Sequence, residues 1–220
     1  IRAWGDFMTS QNIAHGQALS MNEVELIMNR EFSMPNGEKV MVNLALMDSG
    51  DQTDEVYDFC AMNTDWVLPC KGVPTQLSHY RLSTVNKAGS RAYDMTLVLV
   101  DGGKYKDMIA SRMRKPNGTG SWMVHQGCDL DYAEQVTAEH KITERSGGKE
   151  VQKWVPKASH AANHYLDCEV YAAAAADMQG VRSLFLQNRV EDKPQEAKKP
   201  APRQERPAEE SWINQNDTWI

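Results

Sequence analysis

Two aspartates in this sequence stand where a carboxylate could bind a divalent cation. Asp48 ends a mostly apolar run, residues 40–47, and Asp167 opens a segment that contains five consecutive alanines. The apolar run predicts a buried central strand, and the alanines predict a helix that packs closely on a sheet. Carboxylates that meet at a sheet edge suit Mg²⁺ or Mn²⁺, and two such ions can promote phosphodiester cleavage. Asp48 and Asp167 are therefore candidate catalytic residues and metal ligands.

Each candidate also has a simpler interpretation. Asp48 alone could cap a following helix, and Asp167 alone could be a favourable charge at a helix N-terminus. Glu169 lies two residues from Asp167, so on a helix its side chain should point elsewhere. His160 and His164 form an H-x-x-x-H pair without the glutamate of H-E-x-x-H, which favours a structural role.

The elements around these residues predict an α/β protein. Residues 40–72 have a strand–helix–strand pattern, which predicts a parallel βαβ unit with Asp48 at the carboxyl end of its strand. Before it, residues 1–6 and 12–19 are expected to form a hairpin, and Ser20 with Glu23 forms a capping-box pattern that begins a helix. The remaining predictions are strands over 79–85, 93–101 and 121–126, helices over 102–114 and 131–142, a hairpin around 146–149, and a helix from 163 to about 188.

Composition excludes several classes of protein. The net charge is −6, which argues against broad electrostatic coating of nucleic acid but not against an acidic site that reaches DNA through metal ions. The four cysteines include no C-x-x-C pair and are typical of reduced thiols in a cytosolic protein. The alternative is a zinc site formed by cysteines with a histidine. No apolar run is long enough for a membrane span.

The last thirty residues differ in composition from the rest of the chain. Residues 191–210 are rich in proline and charge, which predicts a disordered linker after a domain at 1–190. Residues 211–220 return to apolar side chains and are interpreted as a short docking segment, although they could also fold back on the domain. Its anchors would be Trp212, Ile213, Trp219 and Ile220.

Four segments, in this order, resemble a known family. They are 45–60 (ALMDSGDQTDEVYDFC), 67–73 (VLPCKGV), 134–140 (EQVTAEH) and 163–176 (NHYLDCEVYAAAAA). Together they resemble the C-terminal nuclease domain of lambda-type tailed-phage terminase large subunits, over roughly residues 1–185. The resemblance implies an RNase H-like mixed sheet flanked by helices, with two Mg²⁺ or Mn²⁺ ions, that cuts concatemeric double-stranded viral DNA in the host cytoplasm.

The resemblance also implies roles for partners and residues. The terminase small subunit would be one partner, the portal or procapsid would bind the C-terminal tail, and ATP would belong only to an upstream motor domain. Asp48 would be the second-strand metal ligand and Asp167 the helix-borne one. Some relatives carry an acid at the position of His164, so His164 is a further candidate ligand.

DNA contacts are expected from local basic residues. Lys71 could approach a phosphate, and Arg112, Arg114 and Lys115 could follow the phosphate backbone. A second basic group comprises Arg81, Lys87 and Arg91. Each group could instead be an ordinary solvated face.

This sequence departs from the family pattern at two points. The family's first catalytic aspartate belongs on a strand just before Ile1, and no Walker A pattern is present. We therefore expect weak metal binding and poor folding by these residues alone. Two other functions remain open at this stage: a catalytically incomplete fragment that binds portal or procapsid through its tail, and another RNase H-like enzyme such as a resolvase or transposase.

Overall fold

Strands and helices are mixed along the chain, which agrees with the predicted α/β class. The computed structural model describes residues 1–34, 37–74 and 76–184. Within these ranges the strands are β1 (Arg2–Trp4), β2 (Ser10–Asn12), β3 (Phe32–Ser33), β4 (Lys39–Val40), β5 (Ala45–Asp48), β6 (Val67–Val73), β7 (Tyr80–Thr84), β8 (Thr96–Asp101), β9 (Trp122–Met123), β10 (Glu139–Ser146) and β11 (Lys149–Pro156). The helices are α1 (Met21–Met28), α2 (Thr53–Met62), α3 (Gly102–Met113), α4 (Leu130–Val136) and α5 (His164–Met178).

A four-stranded sheet holds the predicted βαβ unit. Its strand order is β5, β6, β8, β7, in which the first three strands run parallel and β7 is antiparallel to β8. Parallel pairing of β5 with β6 across α2 confirms the prediction and puts Asp48 at the carboxyl end of β5. The prediction of a buried central strand was wrong: among the described strands β5 lies at one edge of this sheet, three of its residues are partly buried and Asp48 is exposed.

A smaller sheet is formed by β1, β2 and β9. β1 and β2 pair antiparallel, which confirms the predicted hairpin, but the second strand is Ser10–Asn12 rather than residues 12–19. A 3₁₀ turn over Asp6–Met8 reverses the chain early, so pairing begins sooner than the apolar pattern suggests. β9 joins β2 in parallel.

The hairpin predicted around residues 146–149 and the capping box at Ser20 agree with expectation. Ser20 Oγ accepts a hydrogen bond from Glu23 N at 3.2 Å, while Glu23 Oε2 accepts one from Leu19 N. β10 and β11 pair over their full lengths around Gly147 and Gly148, both of which have positive φ. The predicted helix over 131–142 is shorter than expected, because Val136 ends α4 and Glu139 begins β10.

Helix α5 forms the centre of the fold. It contacts α3, α4 and β5, and its small side chains allow this close packing. Leu166, Val170, Ala173 and Ala174 are buried, which agrees with the close packing predicted from the alanines. The expected continuation to about residue 188 was wrong over its described part, because α5 ends at Met178 and Gly180 follows with φ of 74°.

The described part of the chain is therefore a mixed α/β structure with several sheets. None of its helices is both long and apolar enough to cross a bilayer. The predicted linker, 191–210, and docking segment, 211–220, lie outside the described residues.

Candidate active site

An apolar groove of about 700 Å³ is lined by residues of β1, β5 and α5. Residues 1–4 and 40–48 contribute to its lining. β1 ends the smaller sheet and β5 ends the larger one, so each has one edge that pairs with no described strand. Asp48, His164 and Asp167 all line this groove. The fold thus brings together the three predicted metal ligands along one surface.

The carboxylate of Asp48 is held by two hydrogen bonds. Its Oδ1 accepts from Gly50 N and its Oδ2 accepts from Tyr171 Oη, both at 2.9 Å. A Cβ at position 50 would lie 3.2 Å from Oδ1, so glycine leaves room for this tight turn. Ser49 continues the pairing with β6, because its backbone N donates to Cys70 O. Asp48 is therefore oriented although it is exposed.

Asp167 lies beside a part-buried ion pair. Lys106 Nζ is 3.6 Å from Asp167 Oδ1 and 2.7 Å from Glu139 Oε1. Asn163 Nδ2 also donates to Glu139 Oε1, at 2.8 Å. Burial raises the pKa of Asp167 above its ordinary value; Lys106 opposes this shift, while Glu139 and Asp48 add to it. The carboxyl of Asp167 is thus easier to protonate than a free aspartate.

Tyr171 connects the two candidate aspartates. It lies four residues after Asp167 on α5, so both side chains project from the same side of the helix. Burial and the neighbouring Cys70 and Asp48 raise the pKa of Tyr171, which keeps its hydroxyl protonated and able to donate to Asp48. The end of β5 and the first turns of α5 are thereby fixed relative to each other.

The carboxylates do not yet form a compact ligand cluster. Within the described residues, the acids and His164 at this end of the groove include no three ligand atoms that lie within 4.8 Å of one another. Asp101 also ends a parallel strand, but its carboxylate accepts from Lys104 N and Gln76 N. It therefore caps α3 and fixes a loop.

The basic residues predicted to contact DNA have different environments. Arg112 donates to the backbone oxygens of Phe7, Met8 and Gly120, which gives this side chain a structural role. Arg114 and Lys115 are exposed beyond the end of α3.

Lys71 is not brought next to Asp48. Cys70 pairs with Asp48 and packs in the core cluster that includes Val170 of α5. Since successive side chains alternate along a strand, Lys71 faces the opposite side of the sheet from Cys70. Its predicted approach to a phosphate stays a prediction.

Comparison with known proteins identifies the family. Residues 1–190 match the model of the terminase large subunit gpA, endonuclease domain. The chain belongs to this family. Its resemblance to terminase large subunits is thereby confirmed, and family membership implies nuclease activity and supports a role in phage DNA packaging. Comparisons with curated proteins and with solved structures gave no match.

Glu169 of this endonuclease domain does not face the groove. Its carboxylate pairs with Arg2 Nε at 2.6 Å and accepts hydrogen bonds from Asn12 and Tyr132. Burial alone would raise the pKa of Glu169, but Arg2 and these hydrogen bonds lower it below its ordinary value. The prediction that Glu169 points away from Asp167 is confirmed.

The histidine pair of the endonuclease domain also needs correction. His160 precedes α5 and has a φ of 62°, whereas His164 is the first residue of the helix. The two histidines are therefore not one helical turn apart, and the H-x-x-x-H spacing does not place them on one face of a helix. His164 lines the groove and is exposed.

Two residues near Asp167 were given no role by the sequence analysis. Lys106 lies on α3, and Glu139 lies in the segment EQVTAEH that carried part of the family resemblance. The motif could have drawn attention to Glu139. Because residues 131–142 were predicted to be helical, Glu139 was not expected at the start of a strand near Asp167. Nothing in the spacing connects Lys106 to Asp167, because helix packing alone brings them together.

Proposed function

We propose that this chain is a metal-dependent endonuclease domain that cuts concatemeric double-stranded viral DNA. The observation that carries the proposal is the meeting of Asp48 and Asp167 at one groove, with Tyr171 between them. One acid ends a parallel strand and the other begins a buried helix, although 118 positions separate 48 from 167 in the sequence. Such carboxylates at the carboxyl edge of a sheet are the parts that a phosphodiester-cleaving site needs.

The donor set fits a hard cation. Both groups are carboxylates, and each oxygen of Asp48 accepts one hydrogen bond, which leaves lone pairs free for a metal. Two Mg²⁺ or Mn²⁺ ions would supply activation of water and stabilisation of the leaving oxygen. Asp48 and Asp167 would hold them, and His164 would be a further ligand at the groove. Lys106 would neutralise part of the negative charge that Glu139 and Asp167 create.

A third acid is proposed to come from a strand seated in the groove. The resemblance implies a strand that ends in aspartate upstream of β1 and is separated from it by a turn, and the groove is lined by both β1 and β5, each of which ends its sheet among the described strands. A strand there could pair with both edges and join the two sheets into one mixed, RNase H-like sheet. Its terminal aspartate would complete the ligand cluster that the described residues only begin.

The remaining assignments extend this proposal beyond the groove. Residues 1–190 would form the nuclease domain, with 191–210 a linker and 211–220 a docking segment for portal or procapsid. Arg114 and Lys115 are the better candidates for phosphate contacts, because Arg112 is bound to backbone oxygens. The terminase small subunit is a further proposed partner, and ATP would be used only by a separate motor domain.

A plasmid-nicking assay with Mn²⁺ tests the nuclease proposal. The chain is compared with Asp48→Ala, Asp167→Ala and the control Asp65→Ala, which removes an exposed acid before the amino end of β6. Loss of nicking in the first two variants, with normal nicking by the control, supports the enzyme. The assay is run at Mn²⁺ concentrations high enough to fill a weak site. Equal background in all four proteins under these conditions would overturn the proposal and favour the non-catalytic module that docks through Trp212, Ile213, Trp219 and Ile220.

A further inference from the structure

A cluster of two imidazoles and a thiol shares no residue with the groove that holds Asp48 and Asp167. It consists of His15, which follows β2, His125, which follows β9, and Cys128, which precedes α4. Since β2 and β9 run parallel, the segments that follow them leave the sheet at the same edge. Sheet pairing therefore places the two histidines together, and the turn from His125 to Cys128 adds the sulfur.

The distances within the cluster approach those of a metal site. Cys128 Sγ lies 3.3 Å from His125 Nδ1 and 3.8 Å from His15 Nδ1, and one ligand atom from each residue lies within 4.8 Å of the others. In a tetrahedral zinc site, nitrogen and sulfur ligands are separated by roughly 3.4–3.6 Å. Small side-chain rotations would bring all three atoms into coordination.

The surroundings orient each ligand. His15 Nε2 is 3.7 Å from Asp129 Oδ1, which favours a proton on Nε2 and leaves Nδ1 free toward Cys128. The ring of His15 also packs on Tyr132, at 4.4 Å between ring centroids. A Cβ at Gly127 would lie 3.2 Å from His125 Nε2, so glycine allows the His125 ring to fold over the turn.

The side-chain oxygen of Asn12 lies where a fourth ligand would be needed. Asn12 Nδ2 donates to Glu169 Oε1, which turns Asn12 Oδ1 toward the cluster, 3.1 Å from His125 Nδ1 and 4.0 Å from Cys128 Sγ. That oxygen, or a water beside it, could complete a tetrahedral shell. The Asn12 side chain would also link the site to the buried pair of Glu169 and Arg2.

We propose that His15, His125 and Cys128 bind one Zn²⁺ ion that ties the N-terminal hairpin to the start of α4. Thiolate and imidazole ligands select zinc-like transition metals, whereas the carboxylates at Asp48 and Asp167 suit magnesium or manganese. The inference does not rest on the nuclease assignment, since the two ligand sets share no residue. The sequence left open a zinc site formed by cysteines with a histidine. Of the four cysteines, this proposal assigns only Cys128 to such a site.

Titration of the reduced, metal-free chain with Co²⁺ tests this site directly. One equivalent should produce a thiolate-to-cobalt charge-transfer band and tetrahedral visible bands, and Zn²⁺ should displace them. Cys128→Ser should abolish the charge-transfer band. The matched control Cys168→Ser changes an exposed cysteine outside the cluster and should retain it, as should Asp48→Ala.

A conservative variant and a check of folding separate loss of the metal site from misfolding. Asp129→Asn keeps an oxygen that can cap α4 at Tyr132 N but removes the charge beside His15, and should weaken Zn²⁺ binding by about 10-fold. Circular dichroism of each variant without metal checks its fold. Absence of the cobalt band from the folded parent chain, or its persistence in folded Cys128→Ser, would overturn the zinc site.

Discussion

The hydroxyl of Tyr171 donates a 2.9 Å hydrogen bond to Asp48 and so joins α5 to the end of β5. This bond determines how the carboxylate of Asp48 is presented beside Asp167. Because Tyr171 is partly buried and packs against the core cluster while Asp48 is exposed, the tyrosine is the more constrained of the two side chains. The relationship makes Tyr171 a positioning residue in the proposed site.

Tyr171→Phe tests that positioning role. The variant keeps the packing of the ring but frees Asp48, so Mn²⁺-dependent nicking should fall about 10-fold, as for other residues that orient metal ligands. Stability should fall by only about 0.5–1.5 kcal/mol, the net value of one hydrogen bond. Nicking rates and urea unfolding measure the two effects. Tyr93→Phe, at an exposed tyrosine, is the control, and equal nicking by both variants would contradict the role.

Asp167 predicts a pH dependence of stability with an unusual sign. Its pKa is raised in the folded state, mainly by burial, so the folded chain binds more protons than the unfolded chain between the ordinary and the raised pKa. Stability of the metal-free chain should therefore decrease as the pH rises through that window. Asp167→Asn has no carboxyl to titrate at this position, so its stability should not change with pH for this reason. Above the raised pKa it should be more stable than the parent chain.

Urea unfolding as a function of pH measures the Asp167 effect. The gain from Asp167→Asn should disappear below the ordinary pKa of aspartate, and Asp65→Asn should show no comparable gain. The same variant should lower nicking at least ~100-fold, since a metal ligand stabilises transition-state charge by several kcal/mol. Parallel stability curves for Asp167→Asn and the parent chain would contradict the pKa argument.

The ion pair of Arg2 with Glu169 predicts a large loss of stability. Their side chains are 0% and 5% exposed, so Arg2→Met would leave the Glu169 carboxylate buried without its counter-charge. Breaking such a pair costs about 3–5 kcal/mol. Lys153→Ala, which breaks an exposed pair with Glu144, should cost no more than about 1 kcal/mol. Chemical denaturation measures the free energy of unfolding of both variants. Similar losses in Arg2→Met and Lys153→Ala would contradict the larger contribution expected from the buried pair.

Ala174 tests the close packing of α5. The residue is fully buried in the core cluster with Cys70, Val98 and Tyr105, so Ala174→Leu would force extra atoms into a filled space. Overpacking of this kind costs about 1–3 kcal/mol. Ala162→Leu, at an exposed position just before the helix, should change the free energy of unfolding by less than about 0.5 kcal/mol. Thermal and urea unfolding provide the measurement.

The groove lined by β1 and β5 predicts how one added strand would act. If the reading frame before Ile1 encodes a short apolar strand that ends in aspartate, a chain extended by it should bind two Mn²⁺ ions and unfold at a higher temperature. The 220-residue chain should bind Mn²⁺ weakly, because its described acids form no three-ligand cluster. Isothermal titration compares them, and tight two-site binding by the shorter chain would contradict this prediction.

Local sequence patterns were sufficient for the elements that depend on neighbours in the chain. Short-range periodicity and turn chemistry predicted three features. They are the capping box at Ser20, the βαβ unit whose first strand ends at Asp48, and the hairpin at Gly147. The core-facing side of α5 followed from its small residues. Local patterns also selected Asp48 and Asp167, because one ends an apolar run and the other opens an alanine-rich helix, and the family motifs supported the same pair.

Tertiary structure alone decided which distant groups meet. Lys106 reaches Glu139 and Asp167 only because α3, α5 and β10 converge, and Arg112 is used by backbone oxygens rather than left free for DNA. Likewise, the parallel pairing of β2 with β9 brings His15 to His125 across 109 intervening positions. A sequence records which ligands exist, whereas their distances depend on packing between elements that no local pattern connects.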